Sequence, residues 1–177
     1  MPKHTTALSL PAHLITIVLL GLMAGFFATY TANVNLATLE LDGSTYAQVQ
    51  SAFNRNVRHF GFFICFFGPM PLGAMGLVSA WSQRRSAWWR LLALTVLAYA
   101  LGIVVFTQAV NLPLNALTES WTPDTIPVNW ASVRDAWNRA NAWRSGLSFL
   151  LFATSLATLV LRLRPEERSD AGRDPAA

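Results

Sequence analysis

Charged side chains are scarce in this chain. Asp, Glu, Lys and Arg make up 12% of its 177 residues, against 53% hydrophobic residues. That is about half the charged share of a soluble domain, and it argues for a membrane protein. Cysteine is all but absent. The single Cys65 excludes an internal disulfide and a cysteine-rich metal site, and inside an apolar run it reads as a packed side chain rather than a nucleophile. Histidine is rare too: His4, His13 and His59 form no H-x-x-x-H pair and no carboxylate–histidine cluster, so no metal is expected. A glycine-rich loop in strand–helix context is missing, which argues against a nucleotide cofactor. The arginines lie between apolar runs without an aromatic–basic surface motif, so no nucleic-acid partner is expected.

What is present is apolar and long. Four segments, at about 10–30, 60–81, 88–110 and 143–161, each carry roughly 20 residues, enough to cross a hydrocarbon core about 30 Å thick. None has a charged residue in its central stretch, and none shows the polar face of a soluble helix. The first could be read as a cleaved signal peptide, but it is long for that and no small-x-small site follows. The expected fold is an all-α, integral-membrane four-helix bundle over residues 1–164, its partner the lipid bilayer. A disordered tail over 165–177 follows.

Basic residues orient the spans. Lys3, Arg84, Arg85, Arg90, Arg162, Arg164, Arg168 and Arg173 fall on one side. Arg55, Arg58, Arg134, Arg139 and Arg144 fall on the other, accompanied by Glu40, Asp42, Glu119, Asp124 and Asp135. The expectation is a plasma (inner) membrane protein with both termini and the tail cytoplasmic.

Two far-side connections are patterned. After "DGS" at Asp42, Thr45 with Gln48 makes a capping box. Tyr46, Val49, Phe53, Val57 and Phe60 then recur at helical spacing, with Gln48, Arg55 and His59 opposite. In the third connection "TPDTIP" breaks the chain, and Trp130, Arg134, Trp137, Asn141 and Arg144 share one helical stripe. Two readings stay open: an interfacial helix anchoring the fourth span, or one wall of a polar pocket at the membrane surface, with arginine stacked on aromatic rings. "VNLPLNALTESW", closing the third span, sets Asn111 and Asn115 around Pro113, which disturbs the helix there. "GPMPLGAMG" at 68–76 marks a kink or close packing in the second span.

Polar residues therefore gather at the far-side boundary: Asn33, Asn35, Asn54, Arg55, Arg58, His59, Asn111, Asn115, Asn141 and Arg144. Ionisable groups at that depth need partners or a wet cavity. His59 is the one side chain among them that ordinarily titrates near neutral pH.

"FTQAVNLPLNALTESW", followed about 15 residues later by "AWNRANAWRSG", resembles the anthrone oxygenase-like family of small four-span membrane proteins. That family closes its third span with an N-V-P-L-N box and carries W-x-x-W-N-x-x-R before its fourth. Here the box reads Asn111-Leu112-Pro113-Leu114-Asn115, and the second element reads Trp137-x-x-Ala140-Asn141-x-x-Arg144. "GLMAGFFATYTANV" and "QSAFNRNVRHFGFF" fit as well, so the resemblance runs over about 14–161. Ala140 departs from the pattern by replacing the second tryptophan, which puts the packing on an aromatic substrate in question.

The resemblance implies a cofactor-free oxygenase acting on a phenolic or polycyclic substrate with molecular oxygen, without metal or flavin. On chemical grounds His59, Arg55 and Arg144 are the candidate catalytic residues, with His59 as base. Asn111, Asn115, Trp137 and Asn141 are the candidate substrate-binding residues. The rival reading is a non-catalytic membrane protein, a small-molecule binder or a subunit of a larger assembly, in which these amides serve interhelical hydrogen bonds alone. Convergence of the polar groups on one cavity favours the first.

Overall fold

The computed structural model describes residues 7–164. Lys3, His4, Arg168, Arg173 and the expected tail over 165–177 lie outside the described residues. The described residues form helices and no strand: α1 (Ser9–Thr38), α2 (Gly43–Asn56), α3 (Phe60–Phe67), α4 (Pro69–Ser79), α5 (Ala87–Glu119) and α6 (Trp130–Leu163). Helices α1, α5 and α6 are each long and apolar enough to cross a membrane, and α3 with α4 passes the same test as one span bent by 42°. The all-α membrane bundle is the observed architecture.

The bend has a local cause. Pro69 and Pro71 supply no backbone N–H. Gly68 is needed for its size, because a Cβ there would stand 2.4 Å from the Ile64 carbonyl oxygen and 2.5 Å from Leu19 Cδ1. Beside the break, the Tyr99 hydroxyl donates to the Phe66 carbonyl at 2.8 Å. Tyr99 thereby ties α5 to α3 within a core of Leu20, Met23, Phe27, Phe66, Ile103 and Leu151. Helix α1 packs on α4 and α6, and α5 packs on α4 and α6. The outward face is greasy: Val18, Leu22, Leu94, Leu101, Phe149 and Leu150 are all exposed, a surface suited to hydrocarbon rather than water.

Several boundaries differ from the sequence pattern. The stripe residues and the fourth span are one continuous 34-residue helix, since no proline interrupts it after "TPDTIP". Helix α5 does not end at Pro113. It runs on to Glu119, and the π-helical turn Thr107–Asn111 just before the proline takes up the disturbance. The cap of α2 is Asp42, not Thr45: Asp42 Oδ1 accepts from the Thr45 backbone N–H at 3.0 Å. The buried face of α2 is also rotated from the expected stripe. Tyr46, Ala47, Gln50, Ser51 and Asn54 are buried, while Phe53 is 39% exposed and Phe60, already in α3, is 80% exposed.

Candidate functional site

The site is built on α6. Residues 137, 141 and 144 follow one another at three- and four-residue spacing, which puts them on one helical face. That face looks towards α1 and the far half of α5. Asn141 Nδ2 donates to Thr31 Oγ1 at 2.8 Å and to the Phe27 carbonyl at 3.4 Å. Ser145, one turn on, donates to the same carbonyl at 2.8 Å and meets Thr31 Oγ1 at 2.7 Å. These bonds lock α6 to α1 where α1 passes through a π-helical turn, Tyr30–Val34. Helix α5 has π-helical turns at the same level, Ala100–Val105 and Thr107–Asn111. Side chains inserted into a helical ladder accompany such turns, which recur at functional sites.

Arg144 is the central group. Its side chain is buried, with 7% of the residue exposed. Nη2 donates to Asn141 Oδ1 at 2.8 Å and Nη1 to Thr107 Oγ1 at 3.3 Å. The guanidinium lies 4.6 Å from the centre of the Phe27 ring and 5.8 Å from that of Trp137. It has no ion-pair partner among the described residues, and Nε has no hydrogen-bond partner. A buried charge without a counter-ion is expensive, several kcal/mol per ion even after relaxation. Leaving one buried donor unpaired adds about 1–3 kcal/mol. Aromatic faces and two oxygens offset part of this, so the remainder favours a ligand that brings negative charge or acceptor oxygens.

Space for such a ligand adjoins the guanidinium. A cavity of about 280 Å³ is lined by Arg144, Asn141 and Trp137 from α6, and by Thr107, Gln108, Leu112 and Asn115 from α5. Phe26, Phe27 and Tyr30 of α1, Phe53 and Asn54 of α2 and four phenylalanines of α3 complete it, with Val57 and Arg58 between α2 and α3. Its size is near the lower end of small-molecule sites, which run about 300–1,000 Å³. Half of the lining residues are aromatic, and the polar ones come from α1, α2, α5 and α6 and from Arg58. Phe26, Phe63, Phe67 and Leu112 line the cavity and are also about two-fifths exposed, and all four belong to spanning segments. Arg58 is paired with Glu119.

The candidate residues divide in two. Arg144, Asn141, Trp137 and Asn115 line one cavity, and Trp137 Nε1 donates to Asn115 Oδ1 at 2.7 Å, joining the stripe to the box. Asn111 lies off the wall, 1% exposed, with neither amide atom partnered. His59 also lies off the wall. It caps α3, with Nδ1 accepting the Phe62 backbone N–H at 3.2 Å. Arg55 lines a separate polar depression with Glu119 and Trp121. Ala140, where the family pattern has tryptophan, is buried.

Sequence reasoning named Asn54 without assigning it to the site, and passed over Tyr30, Thr31 and Ser145. Asn54 was visible as a boundary amide, and the α3 wall was visible as the "FGFFICFF" run. The Thr31–Ser145 bridge joins residues 114 apart and leaves no local trace. Among the described residues, no three His, Cys, Asp or Glu side chains gather as metal ligands do.

No curated protein matches the chain, and no solved structure matches it. A family model described as anthrone oxygenase matches residues 62–154, more than half of the chain and the stretch that holds Asn115, Trp137, Asn141 and Arg144. The chain therefore belongs to the anthrone oxygenase family.

Proposed function

We propose that this protein is a cofactor-free oxygenase of an enolisable polycyclic aromatic, working at the far-side boundary of a plasma (inner) membrane with both termini cytoplasmic. The observation that carries the reading is Arg144: a buried guanidinium without a counter-ion among the described residues, over aromatic rings, on the wall of an aromatic cavity.

The chemistry needs little from the protein. An anthrone methylene loses a proton to give a delocalised enolate, and Arg144 with the neighbouring amides stabilises the oxyanion. The enolate carbon is oxidised by molecular oxygen, which adds there as a peroxide. Loss of water leaves a carbonyl, so CH2 and O2 become C=O and H2O. Trp137 and the phenylalanines hold the ring plane. The proton goes to a base. That role is proposed for His59, whose Nδ1 caps α3 and whose ring lies off the wall, so that the proton reaches Nε2 through water. Arg55, on its separate depression, is assigned no part in the step. The aromatic substrate enters from the bilayer, between the exposed phenylalanines and Leu112.

The test is oxygen consumption by proteoliposomes supplied with an anthrone. One O2 consumed per anthrone is expected, with anthraquinone as product, and the rate above the spontaneous background should fall about a hundredfold in Arg144→Ala, the scale of losing an oxyanion donor. A second reading, binding without turnover, is favoured by a cavity wall that carries no His, Asp, Glu or Lys among the described residues. Ring binding without oxygen uptake would select it.

A further inference from the structure

We infer that Thr31 is a positioning residue for Arg144. A one-way chain of hydrogen bonds runs from the guanidinium through Asn141, Thr31 and Ser145 to the Phe27 carbonyl, and it fixes from α1 where that positive charge stands. The inference rests on the reading of Arg144 as the group that stabilises the oxyanion, and it names what holds that group in place. Neither Thr31 nor Ser145 lines the cavity. Asn141 does, but its amide nitrogen has an acceptor for each of its two hydrogens, Thr31 Oγ1 at 2.8 Å and the Phe27 carbonyl at 3.4 Å. The help that Asn141 gives the oxyanion therefore passes through Arg144.

Each direction in the chain is set by its neighbour. A guanidinium can only donate, so Asn141 turns Oδ1 to Arg144 Nη2 at 2.8 Å. The amide nitrogen then faces α1 and donates to Thr31 Oγ1. The Thr31 hydrogen has one acceptor among the described residues, Ser145 Oγ at 2.7 Å. Ser145 passes its own hydrogen to a carbonyl, that of Phe27 at 2.8 Å or of Asn141 at 3.0 Å. Reversing the Thr31–Ser145 bond would leave the Thr31 hydrogen without an acceptor. Thr31 also departs from its own kind. Thr16, Thr29, Thr95, Thr118 and Thr154 donate to the carbonyl four residues back on their own helix, the local bond open to a helical threonine. For Thr31 that carbonyl is Phe27's, and it is given to Asn141 and Ser145 instead. Thr31 lies in the π-helical turn Tyr30–Val34, and its hydroxyl is spent on α6. Phe27 and Thr31 stand one turn apart on α1, as Asn141 and Ser145 do on α6, so the pairs meet face to face. Phe27 closes the arrangement by presenting its ring to the same guanidinium at 4.6 Å. A long arginine side chain has many rotamers, and donors that are already in place when charge develops need no reorganisation.

The test is Thr31→Val, which keeps the shape of the side chain and removes its hydroxyl, in the full chain. Asn141 Nδ2 is then left with the 3.4 Å bond to Phe27 alone. In proteoliposomes supplied with an anthrone and oxygen, kcat is expected to fall about tenfold or more, the order of loss that follows from a misplaced group. KM should stay near the parent's, because the rings hold the substrate, and Thr31→Ser should restore kcat. Ser145→Ala breaks the next bond in the chain and carries the same test if Thr31→Val does not fold. A second readout needs no turnover: NMR of nitrogen-labelled arginine in nanodiscs, with the Arg144 signals identified by their loss in Arg144→Lys. A held guanidinium gives separate Nη signals in the parent and in Thr31→Ser, and these should merge in Thr31→Val. Unchanged kcat or unmerged Arg144 signals in Thr31→Val overturns the inference, and so does an equal loss of kcat in Thr31→Ser. A parent that takes up no oxygen removes the oxygenase instead, and the positioning of Arg144 then stands or falls on the NMR signals.

Discussion

Each end of the bundle packs an arginine against aromatic rings, Arg144 buried and Arg162 half-buried, and the two are treated differently. At one end Arg162 lies 4.5 Å from the centre of the Trp88 ring. Its Nη1 donates to the Ser9 carbonyl at 3.1 Å and to His13 Nδ1 at 3.2 Å, and its Nη2 to Ser9 Oγ at 2.8 Å. Because the guanidinium can only donate, His13 Nδ1 must accept, and Nε2–H then donates to Thr158 Oγ1 at 2.7 Å. The His13 ring also stacks on Trp88. This cluster draws α1, α5 and α6 together, and Ser9 Oγ adds α4 through the Gly76 carbonyl at 3.3 Å. At the other end Arg144 is held by only two oxygens, keeps Nε unpartnered and faces a cavity. One arginine is a clasp, and the other is the one proposed as a site. The lesson is that an arginine packed on aromatic rings is not by itself a site; a buried one that is short of partners and lines a cavity is the better candidate.

That contrast can be broken from the clasp side. His13→Ala should lower the stability of the detergent-solubilised protein by about 1–3 kcal/mol, because it strips a partner from both Arg162 and Thr158. The readout is a lower thermal midpoint with an unchanged turnover rate per folded molecule. A loss of turnover without a loss of stability would mean that the two ends do not divide the work this way.

A smaller effect lies outside the spans. The Thr45 backbone N–H holds the Asp42 carboxyl below the usual carboxylate range. A carboxylate with a depressed folded value stabilises above its unfolded value, ordinarily about 3.9, and loses that contribution as pH falls through the lower folded value. Helix α2 should therefore fray in acid below pH 4, seen as faster amide exchange at its first turn. Asp42→Asn should remove the pH dependence while keeping most of the cap.

Much of the fold was legible because hydropathy over about 20 residues is a strong signal. The asparagine box and the tryptophan stripe lie near one boundary in the sequence, and half of the box meets the stripe: Asn115 accepts from Trp137, while the Asn111 amide has no partner. The helix boundaries were less legible. A proline at the close of the third span reads as an end or a kink, yet α5 runs on through it after a π-helical turn. On α2 the apolar stripe reads as the buried face, yet Phe53 is partly exposed on the cavity wall while Gln50 and Asn54 are buried, Asn54 on the same wall. The His13–Arg162 clasp joins residues 149 apart, and each alone looks like an ordinary span-end residue. His59 reads as a free boundary imidazole, but its Nδ1 is spent on a helix cap, a role set by the chain break before α3.

The central claim, that Arg144 is the site and Arg162 the clasp, meets its most direct test in one paired measurement. Anthrone-dependent oxygen uptake and thermal midpoint are recorded for Arg144→Ala and Arg162→Ala on the same preparations. The expected result is uptake lost about a hundredfold in Arg144→Ala with a midpoint near the parent's, and a lowered midpoint in Arg162→Ala with the parent's uptake per folded molecule. Equal losses of uptake in both variants, or full uptake in Arg144→Ala, would contradict it.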